Sequence, residues 1–358
     1  MKKFKLTQTL LFILSFTVLF CSCDNEDDII EKILGAYSKG VFITNEGAFG
    51  AGNGSISFYN YEQDSVLNNI FEAVNNRVLG DVVQSLTVHN NAAYIVVNAS
   101  NKIEVASSIT FTEKGVVNNV KNPRYFLGIT NSKAYVSQWG DNGAIKVINL
   151  ESLQVTKTIS VGKGAEKMLL HNNKVYVANS GGLENNNTVS VINAQTDEVI
   201  KTITLEGDVP RDIVIDINNK IWVLCSGYVS YNQDFSIASQ TPSKLVRINP
   251  TQNTIEETIN IGNSYHPTSL EISKDGNYLF YGAGAMGLYK MNINDNTAPS
   301  TPLINKYFYG FDLNKKTGNI FASEAKFTSS STLYRYDADG ILLGTYKTGI
   351  GCNGASSF

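Results

Sequence analysis

Two carboxylates, Glu46 in "ITNEGAF" and Glu324 in "FASEAKF", stand at the ends of short apolar runs. Three amides, Asn45, Asn98 and Asn179, end comparable runs. Together they form an oxygen donor set of the kind hard cations take. A second set mixes cations (Arg124, Lys167, Arg211) with the polar groups Gln84, Gln138 and His266. Aromatic residues accompany it: Phe49, Trp139, Tyr228, Tyr231, Phe235, Tyr309 and Phe327. Amides, rings and a few cations suit a large amide-rich or hydroxyl-rich ligand held by hydrogen bonds and stacking. Covalent chemistry finds less support. Of three histidines, His89 and His171 fall in turns, and only His266 accompanies the candidate site. The chain carries no HExxH, no Walker loop and no Cys/His metal spacing. "GAGNGS" (50–55) precedes an apolar alternation, not a helix, which argues against a phosphate cradle. No catalytic residue, metal or cofactor is expected.

These residues need a scaffold, and the chain repeats one. A polar turn followed by alternating apolar residues recurs as "NSKAYVSQWGD" (131–141), "NNKVYVANSGG" (172–182) and "NNKIWVLCSGY" (218–228). The signal passes through Phe42, Tyr94, Tyr135, Tyr176, Trp222, Leu279 and Phe321. A second register, from "SISFYNY" to "TLYRYDA", ends at Asn60, Asn149, Asn193, Asn249, Asn292 and Asp337, whose side chains start turns. A third, "VTKTISV", "VIKTITL" and "IEETINI", alternates polar and apolar residues as an outer strand with one wet face does. A strand precedes each turn, for example "KMLLHNN" and "DIVIDIN". Four strands in each of seven units of roughly 40–50 residues predict an all-β fold, a seven-bladed β-propeller with four-stranded antiparallel blades. The first unit lacks a leading strand, and "GCNGASSF" (351–358) reads as a leading strand with nothing after it. The C-terminal strand is therefore expected to join blade 1 and close the ring. Short uniform turns collect on one face and variable loops on the other. The variable face, which includes a short helix expected around Ile70 to Asn76, is the expected working face.

The chain has 358 residues, a net charge of −3, 42% hydrophobic and 17% charged residues. It can bury a core, and no cationic excess suggests a nucleic-acid partner. "MKKFK" followed by "LTQTLLFILSFTVLF" reads as a signal sequence too short to span a bilayer. Residues 1–22 are expected to be a lipoprotein signal peptide, with lipidation at Cys23 behind the small Ser22. Residues 23–37, opening on "DNEDD" after that cysteine, read as an acidic tether, and 38–358 as the propeller. Cys225 and Cys352 fall in different blades and are expected as free thiols.

"VFITNEGAFGAGNGSISFYN" (41–60), "LGDVVQSLTV" (79–88) and "VYVANSGG…NTVSVINAQTDEVIKTI" resemble the YncE-like seven-bladed propeller lipoproteins of gut Bacteroidetes, the surface layer protein group. The likeness spans nearly all of residues 38–358 and is greatest to the cobalamin-capturing BtuG branch. That resemblance implies an outer-membrane, lipid-anchored protein on the extracellular face. It would bind cobalamin or other corrinoids without covalent chemistry and pass them to a TonB-dependent transporter. The acidic run resembles the export tag of that group. Two alternatives stand beside it: a surface-layer or adhesive propeller binding glycan or protein, and a metal-dependent hydrolase resembling propeller lactonases, with Glu46 and Glu324 on a cation.

Overall fold

The computed structural model describes residues 37–357, and Cys23 with the expected signal peptide lies outside them. Seven four-stranded antiparallel sheets form the blades. Six blades are continuous in sequence. Blade 4, for instance, runs Ala165–His171, Lys174–Asn179, Thr188–Asn193 and Glu198–Thr204 from axis to rim. Blade 1 is not continuous. Its three outer strands are Gly40–Asn45, Ser55–Asn60 and Ser65–Leu67, and Cys352–Ser356 pairs on the inside, with Phe42 opposite Ser356. The ring closes as the sequence predicts, and no inner edge stays open.

Local chemistry explains the repeat. Asn90, Asn91, Asn172 and Asn173 hold positive φ between 46° and 60°, the left-handed geometry that tight hairpin turns need and Asn tolerates. Asn149 Oδ1 accepts the backbone N–H groups of Glu151 and Ser152 at 3.0 and 2.9 Å. Asn60, Asn193 and Asn249 repeat that turn. Second strands are buried on both faces, because blades stack on each other. Trp222 and Tyr176 are wholly buried there, with Trp222 Nε1 donating to Asp216 at 2.9 Å. Outer strands such as Gln154–Ser160 show one wet face.

The two irregular insertions lie on one side of the ring. A short helix, Ile70–Asn75, links blades 1 and 2, and its Ile70 and Phe71 pack into the first core cluster. In blade 5 the loop after the second strand forms its own hairpin, Val229–Tyr231 with Ile237–Gln240. Cys225 and Cys352 are buried, unpaired thiols in blades 5 and 1. Among the described residues no helix is long and apolar enough to cross a membrane.

Candidate functional site

The seven inner strands surround a channel, and its mouth opens on the side of the variable loops as a cavity of ≈ 650 Å³. Inner strands start at this end, so the first residues of each project into the opening. Pro123–Gly128, Ala165–His171 and Pro210–Ile215 carry register shifts at their first residues. Such bulges re-aim side chains, and here Arg124, Lys167 and Arg211 reach the cavity.

Arg124 is held from several sides. Its Nε donates to Glu166 Oε2 at 3.0 Å, another guanidinium nitrogen to Gln84 Oε1, and its plane lies 4.3 Å from the Trp139 ring. Burial, the largest single influence, lowers the guanidinium pKa, but the charge and hydrogen bond of Glu166 with the Tyr125 and Glu46 charges together outweigh it and the net shift is upward. Glu166 Oε1 also accepts from Trp139 Nε1 at 3.2 Å and Ser180 Oγ at 3.3 Å. Lower in the channel, Lys167 Nζ lies 2.7 Å from Asp212 and 3.8 Å from Glu271. Desolvation pulls against its charge, yet these two carboxylates hold the ammonium well above its ordinary pKa. Asp312 accepts the Ala355 N–H at 2.6 Å. Burial first, and then the Glu271 charge, push this half-buried carboxyl up to about 8.

Across the mouth, Glu46 receives Tyr309 OH at 3.1 Å and Asn353 Nδ2 at 3.1 Å. Burial raises the Glu46 pKa, and those two hydrogen bonds oppose the rise. Phe327 meets the Tyr309 ring edge-on at 5.4 Å, and Phe49 is 86% exposed on the rim.

Half of the sequence-derived set therefore meets at one opening. Glu46, Gln84 and Asn98 line it with the cations Arg124, Lys167 and Arg211, and Phe49, Tyr309 and Phe327 supply the aromatic wall. Trp139 stands behind, holding Arg124 and Glu166. The other residues lie elsewhere. Asn45, Gln138 and Asn179 are wholly buried inside their blades. Asn45 Nδ2 donates to Ser57 Oγ at 2.9 Å, and Asn179 Nδ2 to Ser190 Oγ at 3.0 Å. Gly349 and Gly162 lie against these amides so closely that a Cβ would sit 2.8 and 2.7 Å from them. Gln138 ties Lys121 N–H to Asp141. These three amides are buttresses, since no face of them reaches the cavity. Glu324 does not share a site with Glu46: it pairs with Lys306 at 3.3 Å and accepts Tyr334 OH at 2.9 Å. Among the described residues no group of three His, Cys, Asp or Glu side chains is placed to hold a metal.

Tyr228, Tyr231 and Phe235 belong to the blade 5 hairpin. His266 pins its base, with Nδ1 2.7 Å from Ser226 O and Nε2 3.0 Å from Gln240 Oε1. Sequence reasoning missed Glu166, Asp212, Asp312 and Asn353. The first three share a signal, a carboxylate in the first three residues of an inner strand: "AEKM", "PRDI" and "GFDL".

Residues 39–348 match the family described as "Domain of unknown function (DUF5074)". No curated protein matches the chain. Among solved structures, a quinonprotein alcohol dehydrogenase-like protein from Bacteroides thetaiotaomicron superposes with a TM-score of 0.65 at 15% identity, covering 87% of this chain and 76% of that one. A functionally unknown protein from Desulfotomaculum acetoxidans gives 0.65 at 13%, covering 89% and 98%. A putative 6-phosphogluconolactonase from Bacteroides fragilis gives 0.64 at 12%, covering 90% and 99%. At such identities the likeness concerns the fold alone.

Proposed function

The chain belongs to the DUF5074 family, and from that premise we propose that it is a surface capture protein, holding a large amide-fringed ligand of the corrinoid class at the channel mouth without covalent chemistry. The observation that carries this reading is the construction of the mouth. Amide, guanidinium and phenol groups converge on one opening and are locked by partners behind them, Arg124 by Glu166 and Tyr309 by Glu46. A pre-set array loses little freedom when it binds. A macrocycle broader than the cavity would rest on the rim, with Phe49 and Phe327 against its apolar face and the polar groups below meeting its amides.

Lipidation at Cys23 would tether the propeller to the outer membrane, and a TonB-dependent transporter would be the acceptor. The exposed blade 5 hairpin, with Phe235 87% exposed, offers that acceptor an apolar contact. The hydrolase reading needs Glu46 and Glu324 on one cation, and the separate partners of Glu324 do not favour it.

The test is calorimetric titration of the full chain with cyanocobalamin. A saturable one-to-one isotherm supports capture. A flat trace from folded protein removes the corrinoid and leaves the glycan- or protein-binding propeller to be tried next.

A further inference from the structure

Two guanidinium groups face one another across a single carboxylate at the mouth, and they are not treated alike. Arg124 takes Glu166 with Nε at 3.0 Å and a terminal nitrogen at 3.5 Å. Trp139 and Ser180 occupy the Oε1 atom as well. Arg211 reaches the same Oε1 only at 3.9 Å, beyond hydrogen-bond range. Its Nε is shut away from solvent with no acceptor, while its side chain as a whole keeps 30% exposure toward the cavity. A guanidinium carries five donors in a fixed fork matched to carboxylate and phosphate oxygens. An unmade bond from a desolvated donor costs stability, so a protein that keeps one has a use for it or a missing partner.

The neighbouring strand supplies the rest of a cradle. Asp212, next in the chain, accepts the Leu270 N–H at 2.9 Å, which brings residues 211–212 against residues 269–270. Thr268 and Ser269 therefore stand beside Arg211 and line the same cavity. Neither hydroxyl makes a hydrogen bond among the described residues, so both remain as donors. Lys167, on the other flank, is already matched by Asp212 and Glu271.

We propose that Arg211, with the hydroxyls of Thr268 and Ser269, forms an oxyanion subsite of the channel mouth that takes a carboxylate or phosphate-ester oxygen pair of the incoming ligand. The proposal deepens the capture reading and rests on it for the rest of the ligand. It adds a charge requirement to a site otherwise made for amides. The oxyanion supplies acceptors for the terminal nitrogens of Arg211, which stay open to the cavity beside the sealed Nε, and the second counter-charge that Glu166 cannot give to two guanidiniums.

The experiment titrates the full chain with inorganic phosphate and, separately, with succinate at fixed ionic strength, which distinguishes the two sources of oxyanion. Saturable binding of one of them is expected, weakened about tenfold or more in Arg211→Gln, as loss of a charge-assisted bidentate contact implies. Thr268→Val, which keeps the shape and removes one donor, should weaken it by a smaller factor. Arg211→Gln should melt with the wild type, because Arg211 makes no hydrogen bond to lose. No saturable binding of either anion, or equal binding by Arg211→Gln, overturns the subsite. Cyanocobalamin, which bears a phosphodiester, separates the two ideas. Phosphate bound at Arg211 without corrinoid affinity ends the corrinoid reading and keeps the subsite. Corrinoid binding that is equal in Arg211→Gln and indifferent to phosphate does the reverse.

Discussion

The two ends of the inner strands contrast. At the turn end, polar side chains tie neighbouring blades directly. His89 Nε2 lies 2.9 Å from Thr130 O and Asn90 Nδ2 donates to Asn131 O at 3.1 Å, tying one blade to the next. At the mouth end, Arg211 Nε and Asn353 Oδ1 have no partner, and Phe49 stands in solvent. One scaffold supports both. The difference teaches that direct ties from blade to blade hold the turn end together, whereas the mouth end keeps polar and aromatic groups open in fixed positions.

That contrast can be broken or sharpened by mutation. The largest effect is expected from deleting residues 351–358, which removes the inner strand of blade 1 together with Asn353 and so strikes both ends. Loss of one cooperative transition, at a cost above about 4 kcal/mol, is expected in denaturant titrations followed by circular dichroism. An unchanged midpoint would refute the closure. Next comes Asp212→Ala, which leaves Lys167 with only Glu271 at 3.8 Å. A cost of about 2 kcal/mol is expected, less than for a fully dry pair because channel water reaches the ammonium. A change below a few tenths would mean the pair is ornamental.

Asp312 gives a pH signature. Its folded-state carboxyl is raised to about 8, so its stabilising contribution is fully present below the ordinary carboxylate pKa and is lost as pH rises through about 8. Relative to Asp312→Asn, the wild type should lose about 1–2 kcal/mol between roughly pH 4 and pH 8, a figure kept low because the group is half-buried. Parallel melting curves for the two proteins across that range would contradict the shift. At the turn end, Asn173→Ala places a Cβ without local hydrogen bonding at φ 60°, with an expected loss of about 1 kcal/mol. Ligand affinity should stay at the wild-type value, and a drop in affinity would show that the two ends are coupled. Smallest is Phe49→Ala on the rim, expected within about 0.5 kcal/mol in stability. Here the ligand isotherm is the readout, and an unchanged isotherm would take Phe49 out of the contact surface.

The blades were legible because their signals are local and repeated. Tyr94, Tyr135, Tyr176 and Trp222 mark one strand of each unit, and the Asn turns that follow Asn149, Asn193 and Asn249 act through their own backbone. Closure was legible because one strand was missing at the start and one was spare at the end. The mouth was legible only in part. Residues at inner-strand starts, such as Gln84, Arg124, Lys167 and Arg211, reach the cavity because every inner strand begins there. Asn45, Gln138 and Asn179 did not follow. A polar residue at a strand end looks the same in sequence whether it faces water or fills a gap in the blade, and the glycine pressed against Asn45, Gly349, belongs to a distant stretch. Glu166 and Asp212 went unnoticed because a buried acid declares itself only through its partner in a neighbouring blade.

Blade 1 is stitched from the two ends of the chain, and this sets an order in time. Gly40–Asn45 is synthesised about 300 residues before its inner neighbour, Cys352–Ser356. Blades 2 to 7 can each collapse on local contacts as they emerge, but the ring stays open until Cys352–Ser356 arrives. Glu46 stays without Asn353, one of its two donors, for all of that interval. The channel mouth is thus completed only after the blades around it, and a chain clipped before Cys352 would be a stack of blades in an open ring.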